Sequence, residues 1–284
     1  MNGWYMQYFI IYISPAGTTR HVAKVIDGKL SALGRSCKRV DLGTTAGRAQ
    51  VKHTLAAASC DSCLFIGTPV YASHAVPAIM DFIERLPLGS GCCSVPFVTW
   101  GAVTSGVALF EMAEALGEKG YPALAAAKVV AEHSLLWQSA DPLGKGRPDA
   151  DDDALVQDMV RKIVAGLDAG APRMLTAEVL KYQPEPLRKI MAGLSVGTAR
   201  KMLPQISVRR DRCTLCGACS AACTAGAVEV SDGPVFNESC IACYSCLRAC
   251  TEGALQADFS KLGGGLAQRA KDYGEACDTV IFRP

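Results

Sequence analysis

The sequence predicts an α/β domain built on a parallel sheet with helices on both faces, followed by a small cysteine-rich domain. Two observations predict it. From Tyr8 to about Ala131, short apolar β-branched runs alternate with amphipathic stretches of helical length. Further on, eight of the fourteen cysteines fall between Cys213 and Cys250. At 284 residues the chain has room for both units. Strands that alternate with helices need crossover connections, which make neighbouring strands parallel and place helices on both faces.

The strands expected in order are Tyr8 to Ile13, Cys37 to Leu42, Asp61 to Gly67, Val95 to Trp100 and Ala125 to Val130, with helical patterns such as Arg20 to Leu33, Val76 to Leu86 and Leu109 to Glu118 between them. Five such strands fit the doubly wound order 2-1-3-4-5. Carboxylates from Asp149 to Asp153 after Pro148 mark the start of a closing helix that runs to about Asp168, because negative charge favours a helix N-terminus. Gly170-Ala171-Pro172 breaks that pattern, and a helical connector interrupted at Pro184 and Pro186 ends near Pro204. From Lys181 to Arg212 it carries eight Lys/Arg against Glu185 and Asp211. After the cysteines come Gly263-Gly264-Gly265, a helix to about Tyr273 and an apolar end at Val280-Ile281-Phe282. The expected division is 1–170, a basic connector 171–204, a cysteine domain 205–258 and a tail 259–284 that packs back.

Composition narrows the classes. Half the residues are hydrophobic and 20% are charged, with Lys+Arg 29 against Asp+Glu 27, which excludes a disordered chain and gives no general affinity for nucleic acid. No apolar run approaches the ~18 residues of a membrane span, and the opening Met1-Asn2-Gly3-Trp4 lacks a signal-peptide layout, so the expected location is the cytoplasm. In a long chain without a leader, fourteen thiols serve another purpose than a disulfide scaffold.

Cys213-x2-Cys216-x2-Cys219-x3-Cys223 recurs as Cys240-x2-Cys243-x2-Cys246-x3-Cys250. This is iron-sulfur spacing: a tight loop lets three thiolates converge on one cubane while the fourth reaches the neighbouring cube. Cys213, Cys216, Cys219 and Cys250 are therefore expected on one [4Fe-4S] cluster, and Cys240, Cys243, Cys246 and Cys223 on the other. Two zinc ions would also take eight thiolates, but zinc sites usually separate their Cys-x2-Cys pairs by a longer spacer. The segment resembles bacterial-type two-cluster ferredoxins, a small α+β fold. One departure is that the proline usually following the fourth cysteine is Thr224 in one copy and Thr251 in the other.

Ser14-Pro15-Ala16-Gly17-Thr18-Thr19 follows the first strand and opens the first helix, where hydroxyls, exposed amides and the helix dipole suit an anion. The loop is similar to the flavodoxin phosphate loop, with Ala16 in place of a commonly hydroxylated residue. The resemblance implies FMN, with Ser14, Ala16, Gly17, Thr18 and Thr19 at its phosphate. It also implies ring loops Thr68-Pro69-Val70-Tyr71 and Thr99-Trp100-Gly101-Ala102 at carboxyl ends of strands, where open α/β sheets bind ligands. The whole resembles flavodoxin-like/ferredoxin fusion proteins, a resemblance that extends to Glu132-His133-Ser134 and Gly146-Arg147-Pro148-Asp149.

Two readings of His133 stay open: a proton donor at a flavin edge, or a loop cap. His21, His53 and His74 read as surface or helix residues, and Cys60-x2-Cys63, Cys92-Cys93, Cys37 and Cys277 as uninvolved thiols. The expected function is an electron carrier that joins one-electron clusters to a flavin holding one or two, with a redox protein partner such as a ferredoxin, a hydrogenase-like donor or a metalloenzyme acceptor. The alternative is an FMN-dependent reductase of a small molecule fed by its own clusters. The basic connector is either a solvated helix face or a docking surface for an acidic partner.

Overall fold

The computed structural model describes residues 6–58 and 60–284; the opening Met1-Asn2-Gly3-Trp4 lies outside the described residues. The elements are β1 (Gln7–Tyr12), α1 (Thr18–Ala32), β2 (Cys37–Asp41), α2 (Thr45–Ala57), β3 (Ser62–Tyr71), β4 (His74–Ala75), α3 (Pro77–Glu84), β5 (Cys93–Trp100), α4 (Ala108–Glu118), β6 (Ala126–Val130) and α5 (Ala150–Asp168). There follow α6 (Glu185–Ala192), α7 (Val196–Met202), β7 (Ser207–Val208), α8 (Ala218–Ala221), β8 (Val228–Val230), β9 (Pro234–Phe236), α9 (Ser245–Arg248), β10 (Leu255–Gln256), α10 (Leu262–Tyr273) and β11 (Val280–Phe282).

Strand β1 pairs in parallel with β2 and β3, β3 with β5, and β5 with β6. The five long strands thus stand in the expected order 2-1-3-4-5, written β2-β1-β3-β5-β6 because the two-residue β4 intervenes. The apolar run of β1 is buried on both faces because each face meets a helical layer. Phe9 and Ile11 pack with Ile79, Phe82 and Met112 of α3 and α4. Tyr8, Ile10 and Tyr12 pack with Val22, Ile26 and Leu30 of α1 and Met159 and Ile163 of α5. Full burial of each large apolar side chain is worth about 1.5–3 kcal/mol. Asp149 starts α5 with a capping box: its side chain accepts from the Asp152 amide, and the Asp152 carboxylate accepts from the Asp149 amide.

Two features differ from the expected pattern. Strand β3 continues past Gly67 to Tyr71 and turns back through Ala72 (φ 51°) and Ser73 (φ 71°) into β4. Thr68 to Tyr71 are therefore the end of a strand and not a free loop. The sheet also gains an antiparallel edge, β11, which pairs Val280, Ile281 and Phe282 with Lys128, Ala127 and Ala126 of β6.

In the cysteine-rich half, β7 pairs antiparallel with β10 and β8 with β9. Helices α8 and α9 occupy matching places in the two copies of the motif, which lie 27 residues apart, as Cys213 does from Cys240. No helix among the described residues is long and apolar enough to cross a membrane.

The tail is fastened by a buried ion pair. Lys128 Nζ of β6 lies 2.9 Å from Glu275 Oε1, and both side chains are almost inaccessible. The other oxygen of Glu275 accepts from the Thr104 hydroxyl (3.0 Å), the Ser105 amide (2.8 Å) and Gln183 Nε2 (2.9 Å). Removing one partner strands the other charge in a poorly solvated place. Glu275→Leu is expected to lower unfolding free energy by about 3 kcal/mol in a denaturant titration, and the double variant Lys128→Met/Glu275→Leu to recover only the part due to the stranded ammonium, because Thr104, Ser105 and Gln183 still lack their acceptor.

Candidate functional site

A cavity of about 440 Å³ opens at the carboxyl ends of β1, β3 and β5, within the usual range for cofactor sites. Of the residues expected at a flavin, Ala16, Thr18, Thr19, Pro69, Val70, Tyr71, Thr99, Trp100 and Gly101 line it. Ser14, Gly17, Thr68 and Ala102 are not on its wall. Each of the two buried hydroxyls among them is already engaged. Ser14 Oγ accepts from the Arg20 amide at 2.9 Å, and Thr68 Oγ1 donates to its neighbour's carbonyl at Pro69 (2.9 Å) and accepts from the Val76 amide (3.1 Å). Gly17 instead supplies the left-handed turn (φ 96°) that opens α1; it has no side chain to cap with, and the Arg20 amide in the first turn is taken by Ser14 Oγ. Thr19 and Thr99 bring the phosphate-type loop and a ring loop together through a 2.7 Å hydroxyl contact.

Two buried polar atoms on the cavity residues lack a well-formed hydrogen bond: Trp100 Nε1, and Tyr71 Oη, which makes only a loose contact with Ser134. Burial pushes the Tyr71 hydroxyl up, so it remains a neutral donor. Buried donors without partners are rare, and a bound polar group would complete them.

His133 also lines the cavity. A side chain at Gly101 would lie 2.8 Å from its ring, so the glycine is required for this close approach. His133 Nδ1 accepts from the Leu135 amide at 3.3 Å, capping the short turn Ser134–Leu136. Its proton therefore resides on Nε2, and burial lowers its pKa to about 4. The loop-cap reading of His133 is thus realised in the geometry, and its lowered pKa favours the neutral ring near neutral pH. The two unexplained sequence stretches brace this loop: the Glu132 amide donates to the Arg147 carbonyl (3.0 Å) and the His133 amide to the Leu143 carbonyl (2.9 Å).

The two cysteine motifs fold alike. Leu215 (φ 56°) and Gly217 (φ 74°) flank Cys216, and Ala242 (φ 52°) and Tyr244 (φ 55°) flank Cys243. Left-handed backbone at non-glycine residues costs of order 1–3 kcal/mol and persists where the surroundings over-determine it. Here it curls each loop inward. Cys213, Cys216, Cys219 and Cys250 line one small hollow. The other four are neighbours: burial and the adjacent Cys243, Cys223 and Cys240 push the Cys246 thiol up to about 12. Cys216 is exposed, whereas Cys223, Cys243 and Cys246 are buried. The Cys223 sulfur also accepts the Ala227 amide at 3.1 Å.

The second motif packs directly against the α/β cavity. Ile241 and Ala242, between Cys240 and Cys243, form part of its wall. Ile241 and Cys243 belong to the same buried apolar cluster as Ile13 and Ile66. Ser245 Oγ donates to the Pro15 carbonyl at 2.9 Å, and Arg248 reaches the carbonyls of Pro15 (3.3 Å), Ser134 (3.3 Å) and Cys243 (3.0 Å). Thr224, the residue in place of proline, lies against Gly43 and gives its carbonyl to Arg48 at 3.3 Å. Helices α7 and α10 roof the cavity with Val196, Ala199, Met202, Leu262 and Leu266.

Residues 205–251 match the family described as a 4Fe-4S dicluster domain. The chain joins a flavodoxin-like α/β domain to a 4Fe-4S dicluster domain. The dicluster match supports an electron-transfer redox protein. No curated protein sequence matches it. Among solved structures it is similar to the rubredoxin oxygen:oxidoreductase of the anaerobe Desulfovibrio gigas, with 17% identity and a TM-score of 0.44, over 57% of this chain and 36% of that one. An archaeal flavodoxin aligns with 14% identity and a TM-score of 0.43, over 57% of this chain and 99% of its own. An apo NADH:FMN oxidoreductase aligns with 16% identity and a TM-score of 0.42, over 60% of this chain and 95% of its own.

The remaining cysteines of the fusion are free thiols. Cys63 and Cys93 are register partners on β3 and β5, Cys92 accepts from the Ser62 hydroxyl, and Cys37 donates to Asp27 at 2.9 Å. His21 meets Asp153 on the surface. His74 departs from the surface or helix reading: it lies half-buried on β4, with Nδ1 2.7 Å from Glu111 and Nε2 3.0 Å from the Met191 carbonyl, and so clamps α6 to the sheet. Of the connector's basic residues, Lys181 and Lys189 pair with Glu178 and Glu185, Arg209 pairs with Asp211, and Arg200 donates to the Glu238 carbonyl beside the second motif.

The two buried-side histidines give pH effects of opposite sign. Between about pH 6.5, where an unfolded histidine protonates, and about pH 4, where folded His133 does, the unfolded chain holds more protons. Stability contributed by His133 therefore falls as pH is lowered through that window, by up to about 3 kcal/mol. Glu111 raises the pKa of His74, so its contribution is complete below the unfolded value and is lost as pH rises through the folded one. Denaturant titrations at stepped pH are expected to show a shallower acid slope for His133→Gln than for wild type.

Proposed function

We propose that the fusion relays electrons between an external redox protein, two [4Fe-4S] clusters and FMN held in the cavity. The shared wall carries this reading: Ile241 and Ala242, within the second cysteine loop, line the cavity beside Tyr71, Trp100 and Thr99. We assign Cys213, Cys216, Cys219 and Cys250 to one cluster and Cys240, Cys243, Cys246 and Cys223 to the other; the hollow shared by the first four and the mutual proximity of the second four support the crossed assignment.

When bound, the clusters pass single electrons and FMN stores up to two. The chain's own residues bind, orient and shield. The start of α1 offers the phosphate a dipole and the first-turn amides not taken by Ser14, with Thr18 and Thr19 beside them. Tyr71 Oη and Trp100 Nε1 offer two buried donors to the ring's polar edge. His133, neutral with its proton on Nε2, adds a donor and no charge. Helices α7 and α10 keep water away from the ring side, which favours a relay over free access for a small substrate.

The motif with exposed Cys216 is the side from which a partner exchanges electrons, and the buried Cys243 side faces the flavin. The partner class is a redox protein: a ferredoxin, a hydrogenase-like donor or a metalloenzyme acceptor. The inferred location is the cytoplasm, where the six cysteines not assigned to clusters persist as reduced thiols.

Reconstituted protein, assayed for iron, sulfide and acid-released flavin, is to be reduced by a one-electron donor protein in a stopped-flow instrument. Cys243→Ser is expected to retain FMN yet lose flavin reduction by that donor. Flavin reduction in Cys243→Ser at the wild-type rate would overturn the relay.

A further inference from the structure

We propose that Ser245 and Arg248 are positioning residues that set the reduction potential of the cluster on Cys240, Cys243, Cys246 and Cys223 and tie it to the loop Ser14–Thr19. The proposal rests on the ligand set and flavin site given above.

The two copies of the motif are unlike at these positions. The residues 27 positions before Ser245 and Arg248 are Ala218 and Ala221, which carry no polar group. Ser245 is buried and sits at the meeting point of both halves. Its Oγ accepts from Cys243 Sγ at 3.3 Å and from Arg248 at 3.2 Å, and donates to the Pro15 carbonyl at 2.9 Å. As a cluster ligand the Cys243 sulfur carries no proton and becomes an acceptor. The single hydroxyl hydrogen of Ser245 then faces two acceptors, the sulfur and the Pro15 carbonyl. Arg248, 3.3 Å from that carbonyl, can hold it when the hydroxyl turns to sulfur. The guanidinium is itself fixed, by the Ser134 and Cys243 carbonyls and by the Trp137 ring 5.1 Å away.

This gives the pair a definite effect. In the step concerned, one electron leaves the donor protein, which is oxidised by one electron, and is added to the cluster; no bond forms or breaks. A hydrogen bond to a ligating sulfur stabilises the more negative reduced state and raises the potential. The first motif, with alanine at the matching positions, lacks this bond. Arg248 keeps hold of the Pro15 carbonyl while it also donates to Ser245 Oγ, so the phosphate-type loop and the nearer cluster share one hydrogen-bond network.

The test is a potentiometric titration followed by electron paramagnetic resonance, on samples whose iron and flavin contents have been measured. Ser245→Ala is expected to lower the potential of the cluster on the second motif and leave the other unchanged. Ser245→Thr, which keeps the hydroxyl, should restore it. Arg248→Ala should weaken FMN binding by about tenfold, read by flavin fluorescence, the effect of losing a hydrogen bond from a charged donor. Equal shifts of both clusters in Ser245→Ala, or of neither, would overturn the proposal, as would a threonine variant that behaves like alanine. Wild-type protein with no flavin or only one cluster signal would contradict the relay itself, a distinct failure visible before any variant is made.

Discussion

The functional end of the molecule depends on how the segment Ile241–Arg248 is held against the carboxyl edge of the sheet. That edge presents an apolar hollow, the start of α1 and two buried donors, a surface that costs free energy if left to water or left unpaired. Ile241 and Cys243 cover it with apolar surface. Ser245 and Arg248 satisfy the carbonyls of Pro15 and Ser134, which the loops could not satisfy themselves. The segment that covers the cavity is also the one that carries the second set of thiols.

The covering is completed by segments that come from elsewhere in the chain, and each has its own fastening. Helix α6 is clamped at its end by His74, whose second nitrogen is fixed by Glu111. The tail beyond α10 is held by Lys128 and Glu275 inside the protein and by the β11–β6 pairing. The Glu275 carboxylate also gathers Thr104, Ser105 and Gln183, so the β5–α4 loop, the connector and the tail meet at one buried group. A buried ion pair adds little net stability over an apolar pair, yet removing half of it is costly, which makes such a junction a device for fixing one arrangement.

Much of this was legible in the sequence because local pattern and global fold agree. The period of the apolar runs placed the five parallel strands to within a few residues, apart from the extra length of β3, and the carboxylates from Asp149 to Asp153 marked the start of α5 because negative charge favours a helix N-terminus. The duplicated cysteine spacing was legible because ligation demands it. What escaped was of another kind. Thr68 to Tyr71 read as a loop through their resemblance to a flavin-ring loop, whereas Pro69 sits within β3, opposite Thr99 of β5. The pairing of β11 with β6, the roof formed by α7 and α10, and the reach of Arg248 to Pro15 join residues far apart in the chain. Amphipathic periodicity announces that a helix will be covered and says nothing about by what. Thr18 and Thr19 carried a visible signal for the cavity, but Ile241 and Ala242 read only as spacers between cysteines.

The central claim is that electrons pass between the second motif and the cavity inside one chain. The most direct measurement is the rate of flavin reduction after rapid one-electron reduction of the clusters, followed over a wide range of protein concentration. An internal relay predicts a first-order rate constant independent of concentration. A rate that rises in proportion to concentration, or flavin that stays oxidised while the clusters are reduced, would contradict it.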